Sequence, residues 1–351
     1  MTYISKPKVL YPGLQRNAIG LTRRDYEGAI TTLCAGCGHD SVTAAIVQTF
    51  WELAIAPHTV AKMSGIGCSS KTTAYFLRDA HGFNGVHGRM PALATGANAA
   101  NGDIIYIGIS GDGDSLSIGL GQLSHAIRRN VNLLYVLENN GVYGLTKGQF
   151  SASADKGSTS KKGEANTMES IDGCLLALTL GATFVARSFS GDKAQLVPLL
   201  KAGLTHKGFA FIDIISPCVT FNDHEGSTKS YAYTREHIVE IVQADFVPPA
   251  AAISAEYEPG SARAVMMHDG SWVTLRKVAE DYDPTDRDRA YAGIRERQRK
   301  GETLTGLLYL NADSQDMHEQ AGTVPGALTS LPYTDLCPGN DELQKLQQRF
   351  R

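Results

Sequence analysis

Two turns in the sequence combine glycine with oxygen-bearing side chains in a pattern that suits a metal-bound diphosphate. Residues 111–115 read GDGDS, and residues 138–149 read ENNGVYGLTKGQ. A divalent cation that holds a diphosphate needs hard oxygen ligands, and Asp112, Asn140 and the carbonyl of Val142 offer them. The glycines let backbone N–H groups approach phosphate closely at the start of a helix, where the helix dipole favours anions.

The separation of the two turns supports this interpretation. Asp112 and Asn140 lie 28 residues apart, the length of one helix and one strand, so both are predicted at the carboxyl ends of adjacent strands. A lone Gly-Asp-Gly turn is common, but the pair at this spacing resembles the magnesium and diphosphate motif of thiamine-diphosphate enzymes. Either Asn139 or Asn140 is the ligand, and the register against YGLTKGQ favours Asn140.

Four of the six cysteines are placed to bind a metal centre. Cys34 and Cys37 form the CxxC pair of CAGCGH, a pattern that ligates an iron–sulfur cluster or zinc, or acts as a redox dithiol. Cys68 in SGIGCSS and Cys218 in SPCVTFN each follow a predicted strand. Four thiolates from three strand-end loops favour a 4Fe–4S cluster, while zinc and unrelated thiols stay open as alternatives. We expect the other two cysteines to be inert.

These motifs, in this order, resemble the β subunits of the 2-oxoacid:ferredoxin oxidoreductases over nearly the whole chain. The matching segments are CAGCGH, SGIGCSS, HGRMPALATGANAAN, GDGDS, ENNGVYGLTKGQ, SPCVTFN, and DYDPTDR and GLLYL in the tail. The resemblance implies thiamine diphosphate, Mg²⁺ and one 4Fe–4S cluster as cofactors. It implies these cluster ligands: Cys34, Cys37, Cys68 and Cys218. It implies these magnesium ligands: Asp112, Asn140 and the Val142 carbonyl. The cofactor-binding residues that we expect are Ser64, Ile66, Gly67, Cys68, Gly111, Asp112, Gly113, Asp114, Asn140, Val142, Tyr143, Gly144 and Leu145.

A few further polar residues lie beside these motifs. His39 follows the CxxC pair and is our first candidate for a catalytic histidine, ahead of His81 and His87, although a structural role is an open alternative for each. Thr146 is a candidate donor to the cofactor, and Lys147 a candidate for holding an anionic substrate. Thiamine chemistry also needs a carboxylate at the aminopyrimidine ring. The sequence offers no convincing candidate, and the resemblance implies that the partner α subunit supplies it.

The resemblance also implies a reaction: a 2-oxoacid, coenzyme A and oxidised ferredoxin give acyl-coenzyme A, CO₂ and reduced ferredoxin. The GLTKGQ form is more like the 2-oxoglutarate branch, which forms succinyl-coenzyme A, than the pyruvate branch. Three alternatives stay open. They are a non-redox thiamine-diphosphate decarboxylase or synthase, a thiol-based zinc or redox protein, and a non-catalytic assembly subunit.

The elements that must position these residues alternate between strands and helices. Residues 58–64, 103–110, 131–137, 182–186 and 209–215 are short apolar runs typical of buried parallel strands. Residues 40–54, 92–100, 116–129, 168–180 and 193–204 are helix-like. This alternation predicts an α/β fold with a doubly wound, mostly parallel sheet, in which ligands bind beyond the carboxyl ends of the strands.

Composition and charge limit the class of protein that the chain can be. The chain has 351 residues, a hydrophobic fraction of 42% and a formal net charge of −3, which disfavours a nucleic-acid-binding surface. No apolar run approaches the about 20 residues that cross a bilayer, so we expect a soluble cytoplasmic protein without membrane contact. We predict a cofactor-binding domain over residues 1–246. Residues 247–351 are predicted to form a C-terminal extension that contacts the partner, with a charged helix near residues 286–300.

Overall fold

The computed structural model describes most of the chain as a single nine-stranded sheet covered by helices. The described residues are 13–158, 163–216, 218, 220, 255–266, 272–279, 281–324, 326–337 and 339–350. Within them, no helix combines the length and the apolar character that crossing a membrane requires. The predicted boundary between residues 246 and 247 lies outside the described residues.

Eleven strands are described, and nine of them form the main sheet. The strands are β1 (Val60–Ser64), β2 (His81–Asn84), β3 (Ile105–Gly111), β4 (Leu133–Asn139), β5 (Val142–Tyr143), β6 (Gln149–Phe150), β7 (Phe184–Phe189), β8 (Phe209–Ile215), β9 (Ala262–Met266), β10 (Trp272–Lys277) and β11 (Glu302–Leu310). The order in the main sheet is β2-β1-β3-β4-β8-β7-β11-β10-β9, and β5 and β6 form a separate hairpin. Within the main sheet, only the β7–β11 and β9–β10 pairs are antiparallel among the described strands, so the mostly parallel sheet is confirmed.

Helices cover both faces of this sheet. They are α1 (Gly38–Glu52), α2 (Cys68–Lys71), α3 (Met90–Ala100), α4 (Leu120–Arg128), α5 (Gly173–Leu180), α6 (Lys193–Thr205), α7 (Arg287–Arg299), α8 (Met317–Ala321), α9 (Tyr333–Leu336) and α10 (Asn340–Gln348). Helices α1 and α6 share one apolar core with the sheet, and α3, α4, α5 and α7 share the other. The fold is therefore doubly wound, as the alternation of strands and helices predicts.

The register of the central strands brings three strand ends to one level. Gly111 at the end of β3 lies opposite Glu138 of β4, and Asn139 lies opposite Ile215 at the end of β8. These strands are buried along nearly their whole length, which explains their runs of β-branched and other apolar residues. The loops that follow them are thus forced to meet at one edge of the sheet.

Among the features that differ from the sequence-based prediction are one helix and the strands of the C-terminal part. The predicted helix over residues 116–129 is in fact a π-helical turn, Gly113–Ile118, followed by α4. The C-terminal part also contributes β9, β10 and β11, which the sequence pattern did not predict. Strand β11 pairs with β7, so this part of the chain extends the main sheet.

Candidate functional site

A pocket opens at the carboxyl ends of β1, β3 and β4, where the loops after these strands meet. Its lining residues are His39, Ile66, Gly67, Cys68, Ser69, His87, Gly111, Asp112, Gly113, Asp114, Glu138, Asn140, Val142, Tyr143, Gly144, Leu145 and Thr146. The two glycine-rich turns that the sequence singled out are therefore both at this pocket, as expected for the crevice of a parallel sheet.

The carboxylate of Asp112 is held through one of its two oxygens. Its Oδ2 accepts hydrogen bonds from the backbone N–H of Gly141 at 2.8 Å, from Ser153 Oγ at 2.6 Å, and from Ser151 Oγ. No described residue donates a hydrogen bond to Oδ1. Asp112 is buried, so these donors fix the side chain and leave Oδ1 as the oxygen suited to a cation.

The two neighbouring asparagines have different surroundings. Asn140 lines the pocket, and its Oδ1 accepts a hydrogen bond from the backbone N–H of Val142 at 3.1 Å. Asn139 instead donates from Nδ2 to Asp213 at 3.1 Å, and its Oδ1 lies 2.9 Å from Ser153 Oγ. The structure thus places Asn140 in the pocket and Asn139 in the hydrogen-bond network beneath it.

The carbonyl of Val142 is directed away from the β5–β6 hairpin. Val142 lies opposite Phe150, and the preceding carbonyl, that of Gly141, accepts the hydrogen bond from the N–H of Ser151 at 3.2 Å. Because hydrogen-bonded and non-hydrogen-bonded pairs alternate in an antiparallel ladder, the Val142–Phe150 pair is a non-hydrogen-bonded one. The Val142 carbonyl therefore accepts no ladder hydrogen bond within the hairpin.

The second aspartate of GDGDS holds a histidine at the pocket. Asp114 Oδ1 accepts hydrogen bonds from the backbone N–H of Gly88 at 2.8 Å and lies 3.1 Å from His87 Nδ1. Its Oδ2 accepts from Ser110 Oγ at 3.2 Å. Asp114 is buried while His87 is about half exposed, so the aspartate fixes the ring of a residue that faces the pocket.

Glycine at residue 113 is required by close packing in the same turn. A Cβ atom there would lie 2.6 Å from Cζ of Tyr143, well inside van der Waals contact. The Tyr143 hydroxyl in turn donates to the carbonyl of Gly113 at 3.0 Å. This contact holds the turn after β3 against the hairpin that follows β4.

The four cysteines of the predicted cluster come together beside this pocket. Cys34 and Cys37 form a turn just before α1, and Cys68 begins α2. A Cβ atom on Gly144 would lie 3.4 Å from the sulfur of Cys68 and 3.9 Å from that of Cys218. Thr220, two residues after Cys218, donates to the sulfur of Cys34 at 3.4 Å. The loops after β1 and β8 therefore meet the CxxC turn.

Burial makes two of these thiols, Cys37 and Cys68, reluctant to ionise without a metal. It raises the pKa of the Cys37 thiol far above its ordinary value, and the nearby Glu138 and Cys218 add to this shift. Burial also raises the pKa of Cys68, with a further contribution from Cys218. Metal binding requires thiolates, so a positive metal centre is the group that would stabilise the charged form of this thiol set.

Glu138 is a pocket residue that the sequence analysis passed over. It is fully buried in β4, and burial raises the pKa of its carboxyl well above the ordinary value. Its nearest basic neighbour is His39, whose Nδ1 lies 3.4 Å from Oε2. The sequence did contain a signal, because Glu138 directly follows an apolar run. The predicted strand ended at residue 137, so Glu138 was not placed in it.

Two of the residues predicted to bind cofactor or substrate, Ser64 and Lys147, are not in the pocket lining. Ser64 is buried at the end of β1, where its hydroxyl accepts a hydrogen bond from Thr73 at 3.4 Å. Lys147 lies in the β5–β6 hairpin with a positive φ of 79°. Thr146 does line the pocket, and its hydroxyl donates to Gln149 at 2.5 Å. Ser69 lines it as well, without having been predicted.

A second group of potential metal ligands lies away from the pocket and is already occupied by an arginine. Ligand atoms of Asp172, Cys174 and Asp213 lie within 4.8 Å of one another. Arg187 donates to Asp213 at 2.9 Å and to Asp172 at 2.6 Å. The guanidinium satisfies both carboxylates, so this group is an ion-pair network.

Comparisons with known proteins agree with the geometry of the pocket. Residues 65–214 match the model of the thiamine pyrophosphate enzyme C-terminal TPP-binding domain. This range includes both glycine-rich turns, Cys68 and the central strands.

Curated relatives extend this similarity to most of the chain. A 2-oxoacid:ferredoxin oxidoreductase subunit beta from Sulfolobus sp. is 41% identical over 191 residues, which are 54% of this chain and 63% of that protein. The 2-oxoacid:ferredoxin oxidoreductase 1 subunit beta of Aeropyrum pernix is 32% identical over 330 residues, 90% of this chain and 92% of that protein. The first three curated relatives are matched over 63 to 65% of their own lengths.

A solved structure shares the architecture as well. It is a 2-oxoglutarate:ferredoxin oxidoreductase from Magnetococcus marinus with 2-oxoglutarate, coenzyme A and succinyl-CoA bound. The TM-score is 0.68 at 28% sequence identity, and the match covers 91% of this chain and 100% of that one.

Proposed function

Because this chain belongs to the β subunits of the 2-oxoacid:ferredoxin oxidoreductases, we propose that it carries thiamine diphosphate and one 4Fe–4S cluster for the oxidative decarboxylation of a 2-oxoacid. The reaction consumes coenzyme A and oxidised ferredoxin, and it yields acyl-coenzyme A, CO₂ and reduced ferredoxin. The chain acts together with a partner α subunit. We propose 2-oxoglutarate as the substrate because the structurally similar Magnetococcus marinus enzyme has 2-oxoglutarate and succinyl-CoA bound.

The donor set in the pocket fits a magnesium diphosphate. In this proposal Asp112 Oδ1, Asn140 Oδ1 and the Val142 carbonyl hold the cation, as hard oxygen ligands do. Backbone N–H groups of the turn at Gly111–Gly113, which lines the pocket, would hold the diphosphate. Ser151 and Ser153 orient Asp112 from behind, which is the role that outer-shell residues take in metal sites. When bound, thiamine diphosphate supplies the electron sink for loss of CO₂.

The thiol set fits a cluster that accepts electrons from this pocket. Cys34, Cys37, Cys68 and Cys218 would be its ligands, since cysteine thiolates are the usual ligands of 4Fe–4S clusters. The observation that carries the proposal is the shared wall between the two sites. Gly144 lines the pocket and also lies against the sulfurs of Cys68 and Cys218. A cofactor and an electron acceptor would thus be neighbours.

The remaining site residues have supporting roles in the proposal. Ile66, Gly67, Tyr143 and Leu145 form the walls, and Gly67 has a φ of 144° that favours glycine. We retain His39 and Thr146 as candidates for contact with cofactor or substrate. Lys147 stays a candidate for the substrate carboxylate, and Ser64 is better explained as a support for the loop after β1, given its contact with Thr73.

The decisive assay is acceptor reduction by the complete enzyme. The chain would be purified anaerobically with its partner subunit, and reduction of ferredoxin would be followed with 2-oxoglutarate or pyruvate, with and without coenzyme A. We expect coenzyme-A-dependent reduction that prefers 2-oxoglutarate and is lost in Asp112→Ala. Release of CO₂ without acceptor reduction would instead support a non-redox thiamine-diphosphate decarboxylase.

A further inference from the structure

Glu138 is a fully buried carboxyl group that lines the pocket without a hydrogen bond of its own. Neither Oε1 nor Oε2 has a hydrogen-bond partner among the described residues. Its relative exposure is 0%, so water at the protein surface does not solvate it either. Buried polar groups in proteins are nearly always hydrogen-bonded, and an exception at a pocket wall points to a ligand that completes the bonding.

The neighbouring histidine does not provide the missing partner. Although His39 Nδ1 lies 3.4 Å from Glu138 Oε2, the same nitrogen is 2.6 Å from Ser216 Oγ. The shorter contact, with Ser216, is the hydrogen bond of this nitrogen. We therefore do not count the longer contact as an ion pair.

A second buried acid shows what a structural carboxylate looks like in this sheet. Asp213 on β8 is 1% exposed, and it lies beside Leu137, the residue before Glu138. It accepts hydrogen bonds from Arg187 and from Asn139. Two acids at nearly the same level of adjacent strands thus differ in one respect: Asp213 is satisfied by the protein and Glu138 is not.

We propose that the carboxyl group of Glu138 contacts the bound cofactor directly, by a hydrogen bond to a polar group of thiamine diphosphate. This rests on the proposed function, because the ligand is the one assigned there to the pocket. Glu138 is then a catalytic-site residue of this chain, separate from the carboxylate that the partner subunit is expected to supply. Its place in β4, two residues before Asn140, puts it on the same strand end as a proposed magnesium ligand.

A functional role and a structural role of Glu138 predict opposite changes in the melting temperature when its carboxyl group is removed. Replacing an unsatisfied buried polar group by an apolar one of similar shape stabilises a protein, whereas breaking a satisfied pair destabilises it. Glu138→Leu should therefore raise the melting temperature of the cofactor-free enzyme while it weakens cofactor binding. Such opposed effects are typical of residues retained for function.

The test uses the complex of the full chain with its partner subunit, freed of thiamine diphosphate. Calorimetry with thiamine diphosphate and Mg²⁺ gives the affinity, and a thermal scan at the same pH gives Tm. For Glu138→Leu we expect a Tm about 2 °C or more higher and an affinity about 10-fold lower, the loss of one hydrogen bond. Glu138→Gln should recover part of the affinity, and the matched control Asp213→Leu should lower Tm.

Each outcome has a defined meaning. Wild-type enzyme that binds no thiamine diphosphate overturns the proposed function itself. Wild-type enzyme that binds, beside a Glu138→Leu variant that binds equally well, overturns this inference alone. A variant whose Tm and affinity both fall also overturns it, because Glu138 then supports the fold. A higher Tm together with weaker binding supports the contact.

Discussion

The carboxylate of Asp112 accepts a hydrogen bond from the backbone N–H of Gly141 at 2.8 Å, and this bond joins the turn after β3 to the turn after β4. The sheet register makes it possible, since Gly111 and Glu138 are partners on these two strands. A metal site built from both turns therefore depends on parallel pairing of β3 with β4.

The first prediction distinguishes the two asparagines that follow β4. We expect Asn140→Ala to abolish magnesium-dependent binding of thiamine diphosphate, because Asn140 offers its amide oxygen in the pocket. Asn139→Ala should keep this binding and lower Tm, because it removes the amide that donates to buried Asp213. Calorimetry and thermal scans of both variants test this. If Asn139→Ala lost binding and Asn140→Ala kept it, Asn139 and not Asn140 would be the magnesium ligand.

The second prediction concerns the serines behind Asp112. Ser153→Ala removes a hydroxyl that donates to Oδ2 at 2.6 Å, so the carboxylate is less well oriented. We expect the Mg²⁺ affinity to fall about 10-fold, as for other outer-shell partners of metal ligands. Ser330→Ala, an exposed serine in the C-terminal part, is the matched control. If Ser153→Ala and Ser330→Ala had the same Mg²⁺ affinity, Ser153 would have no role in orienting the metal ligand.

Much of this site could be predicted from local sequence, and the reason is geometric. In a parallel sheet the residues after each strand end share one edge, so Asp112, Asn140 and Cys68 could be grouped once the strands were recognised. Strand β8 has the predicted limits, Phe209–Ile215, because an uninterrupted apolar run in a buried strand is a strong signal.

Other features depend on contacts that local sequence does not encode. Whether Glu138 is satisfied is decided by His39 and Ser216, which are distant in sequence. The pairing of β11 with β7 likewise joins residues more than a hundred positions apart. Strand β11 ends in the apolar run GLLYL and is largely buried, but its partner strand is set by this long-range contact and not by the run itself.

The third prediction concerns the thiols. Cys68→Ala should lose iron and acid-labile sulfide, while wild-type protein prepared anaerobically should contain about four iron atoms per chain. Cys337→Ala is the matched control, because Cys337 is exposed and lies outside the proposed ligand set. Its iron content should equal that of the wild type. Iron retained in Cys68→Ala, or zinc in place of iron in the wild type, would contradict the cluster assignment.

The fourth prediction concerns pH and a histidine remote from the pocket. Burial lowers the pKa of His206 from 6.5 to about 4, so the unfolded chain binds a proton that the folded chain does not bind between these values. This contribution to the free energy of unfolding is complete above pH 6.5 and is lost as the pH falls towards 4. In urea titrations, the difference in the free energy of unfolding between wild type and His206→Gln should shrink as the pH falls from 6.5 towards 4. If the free energies of unfolding of the two proteins changed with pH in parallel, burial would not lower the pKa of His206.

Electron transfer from thiamine chemistry in the pocket to an adjacent iron–sulfur cluster can be observed directly. We would record electron paramagnetic resonance spectra of the anaerobic complex before and after adding 2-oxoglutarate and coenzyme A. We expect a reduced 4Fe–4S signal that appears only with substrate and is absent in Asp112→Ala. A protein that contains the cluster but shows no substrate-dependent reduction, while it still consumes 2-oxoglutarate, would show that the cluster does not accept electrons from this reaction.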